Sequence, residues 1–176
     1  MKPKVKKYNN KRKNICTIYI ENIFIEKEHI YDILQLFNYE ELIIESSINS
    51  NCKWINEIHQ NKAEIFTPIV LNPKTEYTEM ICLTKSKQTI NYVIDNVIEY
   101  ERNDNYLFVV DKNDKLSFNQ YLYGYHTFHF INKLIINEIV SFSINFDFKE
   151  SAIYITLNSK KYDIDLMIDK IKQVFC

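Results

Sequence analysis

"SFSINFDFKESAIYITL", residues 141–157, changes from a strict apolar–polar alternation to a polar turn and then to a second apolar run. Phe142, Ile144, Phe146 and Phe148 alternate with Ser141, Ser143, Asn145 and Asp147. A period of two places the apolar set on one face of a strand and the polar set on the other. "KES" (149–151) supplies a polar turn, and "AIYITL" (152–157) brings the chain back. The stretch therefore reads as a hairpin with one buried face. The period then changes. Ile164, Ile168, Ile171 and Phe175 recur at helical spacing over about 162–175. Asp163 and Asp165 stand near the positive N-terminal end of that helix, and Lys170 and Lys172 near the other end.

The same two periods recur upstream. "ICTIYIENI" (15–23) is β-branched, aromatic and extended in character. In "EKEHIYDILQLF" (26–37), Ile30, Ile33, Leu34 and Phe37 follow the helical spacing. "EELIIESSI" (40–48) and "EMICL" (79–83) read as strands, and "CKWINEIHQ" (52–60) as a short helix. "EIFTPIVL" (64–71) reads as a strand that Pro68 confines to a sheet edge. "SKQTINYVIDNVIEY" (86–100) carries Ile90, Val93, Ile94 and Val97 on one helical face, with Ser86 placed as N-cap. "NYLFVVDKNDKLSF" (105–118) reads as a hairpin with "DKND" at its turn. Strands connected both by hairpins and by helices imply an α+β fold with a mostly antiparallel sheet.

Length and composition fit one such domain. The chain has 176 residues, 46% of them hydrophobic, enough for a full core. Glycine occurs once and proline three times, so Asn and Asp must take most turn positions. Phosphate-binding glycine loops and dinucleotide turns are excluded on the same ground. Neither Asp111 with Asp114 nor Asp163 with Asp165 forms an acid/base dyad: the first pair flanks a turn and the second starts a helix. No run of apolar residues is long enough to span a bilayer. Cys16, Cys52, Cys82 and Cys176 are widely spaced, with no CxxC pair, which fits free thiols in a reducing cytoplasm.

The net charge of −1 hides an asymmetry. Residues 1–13 hold Lys2, Lys4, Lys6, Lys7, Lys11, Arg12 and Lys13 and no acid. The rest of the chain holds 15 basic and 23 acidic residues, a net of −8. The expected organisation is a basic, disordered tail over 1–13 and a single α+β domain over 14–176. Within that domain, 14–111 carries two helices between its strands, and 112–176 is a hairpin and helix extension.

The order of elements over 15–111 is strand, helix, strand, strand, helix, strand, as in ferredoxin-like domains. "IYIENI" (18–23) also resembles the first-strand motif of the RNA recognition motif family, and "EKEHIYDILQLFN" its first helix. The resemblance implies a βαββαβ arrangement, with Tyr19 stacking on bases. "EYTEMICL" (76–83) stands where the family's second motif would be, but it lacks that motif's glycine and exposed aromatics. On this reading, Lys6, Lys7, Lys11, Arg12 and Lys13 of the tail would contact phosphates.

"YLYGYHTFHF" (121–130) raises a different possibility. Tyr121, Tyr123 and Tyr125 alternate, and a strand would display them on one face as a protein-binding row. His126 and His129, with His59 or Cys52, form no metal-ligand signature, so no metal or cofactor is expected. The acidic body, including Glu40, Glu41 and Glu45, points to docking on a basic partner. The expected function is a non-enzymatic, cytoplasmic protein-binding module of the inhibitor or immunity-protein type. The alternative is RNA binding through a degenerate recognition domain with a basic N-terminal tail.

Overall fold

The computed structural model describes residues 3–11, 14–37, 41–49, 64–66, 77–84, 86–98, 105–111 and 140–175. The described strands are β1 (Lys4–Asn10), β2 (Ile15–Glu21), β3 (Glu41–Asn49), β4 (Glu64–Phe66), β5 (Tyr77–Thr84), β6 (Asn105–Asp111), β7 (Val140–Asp147) and β8 (Ala152–Asn158). The described helices are α1 (Lys27–Gln35), α2 (Lys87–Tyr92) with a π-helical continuation over Val93–Ile98, and α3 (Ile164–Val174). The strands form one sheet in the order β1-β2-β8-β7-β6-β3-β5-β4, and every pairing is antiparallel. The fold class is therefore α+β with an antiparallel sheet.

Alternation decides which strand faces meet the helices. Cys16, Ile18 and Ile20 of β2, Phe142, Ile144 and Phe146 of β7, and Ile153, Ile155 and Leu157 of β8 are all fully buried. They form one cluster with Ile30, Ile33 and Leu34 of α1, Ile90, Val93 and Ile94 of α2 and its continuation, and Ile164, Met167 and Ile171 of α3. Phe37, just past α1, stacks on Phe142 with centroids 3.9 Å apart. Each fully buried aliphatic side chain contributes roughly 1.5–3 kcal/mol relative to exposure.

Local signals set the element ends. Asp163 Oδ1 accepts the Leu166 N–H at 3.1 Å, and Ser86 Oγ accepts the Thr89 N–H at 3.3 Å, so both helices start on side-chain caps. His29 Nδ1 accepts the Glu26 N–H at 3.1 Å at the start of α1. The β7–β8 turn is held by Asp147 Oδ1, which accepts the Glu150 N–H at 2.9 Å, and by Ser151 at φ 49°. Asn14 and Asn22 take left-handed backbone at the two ends of β2, so Asn and Ser fill roles usually given to glycine.

Two expectations are revised. Residues 4–10 are not a disordered tail: they pair with β2 along their whole length, from Lys4↔Glu21 to Asn10↔Ile15. Val5 packs on the core, Lys6 Nζ lies 2.9 Å from Glu21, and Lys7 Nζ lies 2.6 Å from Asp165. Main-chain pairing and these contacts outweigh the mutual repulsion of the lysines. The ferredoxin-like order over 15–111 is not found as a separate sheet, because β2 pairs with β1 and β8 and with none of β3, β5 or β6. The β7–β8 hairpin stands between β6 and β2. The reason is burial: Ala152, Ile153, Ile155, Thr156, Leu157 and Asn158 are all buried, which suits an interior strand rather than an edge. The hairpin expected at 105–118 is described only in its first arm, β6, whose neighbours are β3 and β7, and residues 112–118 lie outside the described residues.

The remaining strand expectations correspond to β3, β4 and β5, and β4 is an edge of the sheet. The short helix expected at 52–60 lies outside the described residues. So does Pro68.

Candidate functional site

The face of the sheet turned away from the helices carries the complementary set of each alternation. On β2 that set includes Thr17, Tyr19 and Glu21; on β8, Tyr154 and Thr156; on β7, Ser143 and Asn145. Tyr19 and Tyr154 are direct cross-strand partners. Their ring centroids lie 4.7 Å apart with an interplanar angle of 38°. Both rings are half-buried. Two register rows away, on the same face, Thr17 Oγ1 and Thr156 Oγ1 are 3.2 Å apart, and Thr156 is opposite the buried Ser143. Small hydroxyl residues thus form a floor beside two large rings.

Electrostatics tie the rings to the sheet margin. Lys6 is opposite Tyr19 in register, and its Nζ lies 5.3 Å from the Tyr19 ring centroid while it bridges to Glu21. Burial, followed by hydrogen bonding to Tyr154 and Glu21, pushes the Tyr19 hydroxyl up to about 12. The Lys6 ammonium holds the Glu21 carboxyl below its ordinary value, and Glu21 in turn holds Lys6 above its own. On the other side of Tyr154 stands Asn145, whose Oδ1 is buried with no hydrogen-bond partner among the described residues.

The register continues in a straight row across six strands: Lys6, Tyr19, Tyr154, Asn145, Leu107 and Glu45. Of the residues expected to bind a partner, Glu45 therefore shares a row with Tyr19, while Glu41 is at the far end of β3 opposite Asp111. Glu40, Tyr121, Tyr123 and Tyr125 lie outside the described residues. The basic set is divided. Lys6 joins the tyrosine face, Lys7 reaches Asp165 at the start of α3, and Lys11 is exposed beyond β1. Arg12 and Lys13 lie outside the described residues.

Sequence reading missed Tyr154. Its signal was present: in "AIYITL", Tyr154 sits between two core isoleucines, so alternation alone assigns it to the opposite face. What the sequence could not supply was its partner, 135 positions away on β2.

Other reactive groups have structural roles. Cys16 is fully buried, and burial pushes its thiol up, away from the thiolate that a nucleophile needs. The His29 ring packs on Phe175 at 4.9 Å, and its Nδ1 is committed to the α1 cap. Among the described residues no three His, Cys, Asp or Glu side chains converge as metal ligands. His59, His126, His129 and Cys52 lie outside those residues. Among the described residues no helix is long and apolar enough to cross a membrane. No family model, no curated protein and no solved structure matches this chain.

Proposed function

We propose that the chain is a non-enzymatic protein-binding module that docks through the tyrosine face of its sheet. The observation that carries this reading is the Tyr19–Tyr154 pair: two half-buried rings on adjacent interior strands, beside a floor of Thr17, Thr156 and Ser143. Tyrosine offers large contact area at small entropic cost, and the half-buried Thr17 hydroxyl beside the rings adds a hydrogen-bonding group. Beyond residue 13 the chain carries a net charge of −8, which favours a basic or neutral partner over the part of the face away from β1, whose Lys6 borders Tyr19. Glu40, Glu41 and Glu45 supply carboxylates to the interface, and Tyr121, Tyr123 and Tyr125 further anchors. An acidic docking surface of this kind suits an inhibitor or immunity protein that occludes a basic target in the cytoplasm.

Single-stranded nucleic acid is the second reading. One observation favours it: the Lys6 ammonium stands over the Tyr19 ring, beside a second ring on which a base could stack. Against it, phosphates crossing the face would meet Glu21 and the acidic body.

A photoreactive phenylalanine analogue placed at position 154, and separately at exposed position 32 on α1, separates these readings in native cells. The proposed function predicts a discrete protein adduct from position 154 and none from position 32. Adducts with RNA alone, or protein adducts only from position 32, would refute it.

A further inference from the structure

We propose that the outer edge of β1 accepts an extended acidic segment of a partner protein as a further strand of the sheet. Among the described residues β1 is the last strand of the sheet order and pairs only with β2. Its seven residues run in unbroken register with no bulge, and all except Val5 are exposed. Native proteins usually blunt such an edge with a bulge, a proline or charge. Here Pro3 precedes the strand, and within it the only guard is lysine.

The lysines select the occupant. A second copy of the chain, pairing antiparallel through the same strand, would set Lys4, Lys6 and Lys7 opposite or diagonal to their own counterparts, which is unfavourable. An acidic strand meets the reverse situation. Lys6 contacts Glu21 and Tyr19 on the tyrosine face, whereas Lys7 contacts Asp165 of α3 on the helix face. Carboxylates on either face of the incoming strand therefore find an ammonium. Each ammonium has three donors, so Lys6 and Lys7 can take a second carboxylate while keeping the first. Lys4 at one end of the strand and Lys11 beyond the other extend the basic row along the whole edge. The occupant is thus a segment about as long as β1, without proline, in which Asp or Glu alternates with β-branched residues. This edge is a separate surface from the tyrosine pair, although Lys6 borders both.

The test uses the full chain and fluorescein-labelled seven-residue peptides alternating Glu with Val and Thr, read by fluorescence anisotropy. Four probes are compared: the parent peptide, a version with Lys for Glu, and two versions N-methylated at alternate positions, one for each edge of the peptide. N-methylation removes main-chain donors and leaves the protein untouched, so it remains informative even where a variant folds poorly. The proposal predicts binding of the parent, none of the Lys version, and loss with one of the two N-methylated versions. Charge reversal in Lys4→Glu/Lys7→Glu should weaken the parent by about tenfold or more, and so should a rise in salt, since exposed charges are screened. Tyr154→Ala should leave peptide binding unchanged. No parent binding at about 1 mM, a very weak limit, would overturn the proposal. Equal binding by both N-methylated versions would also overturn it, by showing attraction without strand pairing. Loss through Tyr154→Ala but not through charge reversal would place the peptide on the tyrosine face and overturn it too.

Discussion

Tyr19 is held in its neutral form by its surroundings. Burial and hydrogen bonds to Tyr154 and Glu21 raise its hydroxyl from 10.0 to about 12. Tyr31 is raised to about 12 as well, by burial and by the negative charge of Asp95. A group whose folded value exceeds its unfolded value contributes stability that is complete below the unfolded value and lost as pH rises through the folded one. Both tyrosines therefore stabilise the fold up to about pH 10 and cease to do so by about pH 12. Absorbance at the tyrosinate band during alkaline titration should show a late-titrating class that shrinks in Tyr19→Phe. Titration of all tyrosines together at the ordinary value would contradict this. Cys16 gives a second prediction at the same scale. Its thiol is fully buried and raised, so mass spectrometry after brief alkylation of the native protein should find Cys16 unmodified and denatured protein should find it labelled.

Among the elements, α3 depends on its cap. Asp163→Ala removes the acceptor of the Leu166 N–H and should cost about 1 kcal/mol, read as a lower melting temperature. This helix was legible in sequence because its period and its charge bias agree. So were β7, with a strict alternation, and α2, with Ser86 at its start. The π-helical stretch over Val93–Ile98 was not legible, since the spacing of Ile90, Val93 and Ile94 fits an α-helix equally well. β1 was missed for a different reason. "KVKKYNN" offers almost no apolar pattern, and its order comes from main-chain pairing with β2 and from carboxylates distant in sequence. A chain that starts at Asn14 should consequently expose the β2 edge. Light scattering should show it aggregating at concentrations where the full chain stays clear. Unchanged solubility and unchanged melting would contradict a structural role for β1.

At the scale of the whole molecule, the defining event is the pairing of β2 with β8. It brings the two ends of the chain into one sheet, and it is extended by Ser159 N–H to Asn14 O at 2.8 Å and Ile23 N–H to Ser151 O at 3.3 Å. Composition marked β2 as a strand and the hairpin reading marked β8, but strand order depends on contacts between distant segments that no local window contains. The candidate site inherits that limit: Tyr19 was singled out in sequence as a base-stacking residue, and its pairing with Tyr154 was not legible. The cluster that ties both strands to the helices should be intolerant of truncation. Phe146→Ala, in a side chain with no solvent exposure, should cost about 3–5 kcal/mol, read from chemical denaturation.

In the proposed function the paired tyrosines are the binding anchors. The direct measurement is the affinity of the cross-linked protein partner, once purified, for the full chain and for its Tyr19→Ala and Tyr154→Ala variants. Circular dichroism would establish that each variant keeps the fold. Each substitution is predicted to weaken binding by about 10- to 100-fold, as truncation of a central aromatic anchor does. Full affinity in both folded variants would contradict the claim.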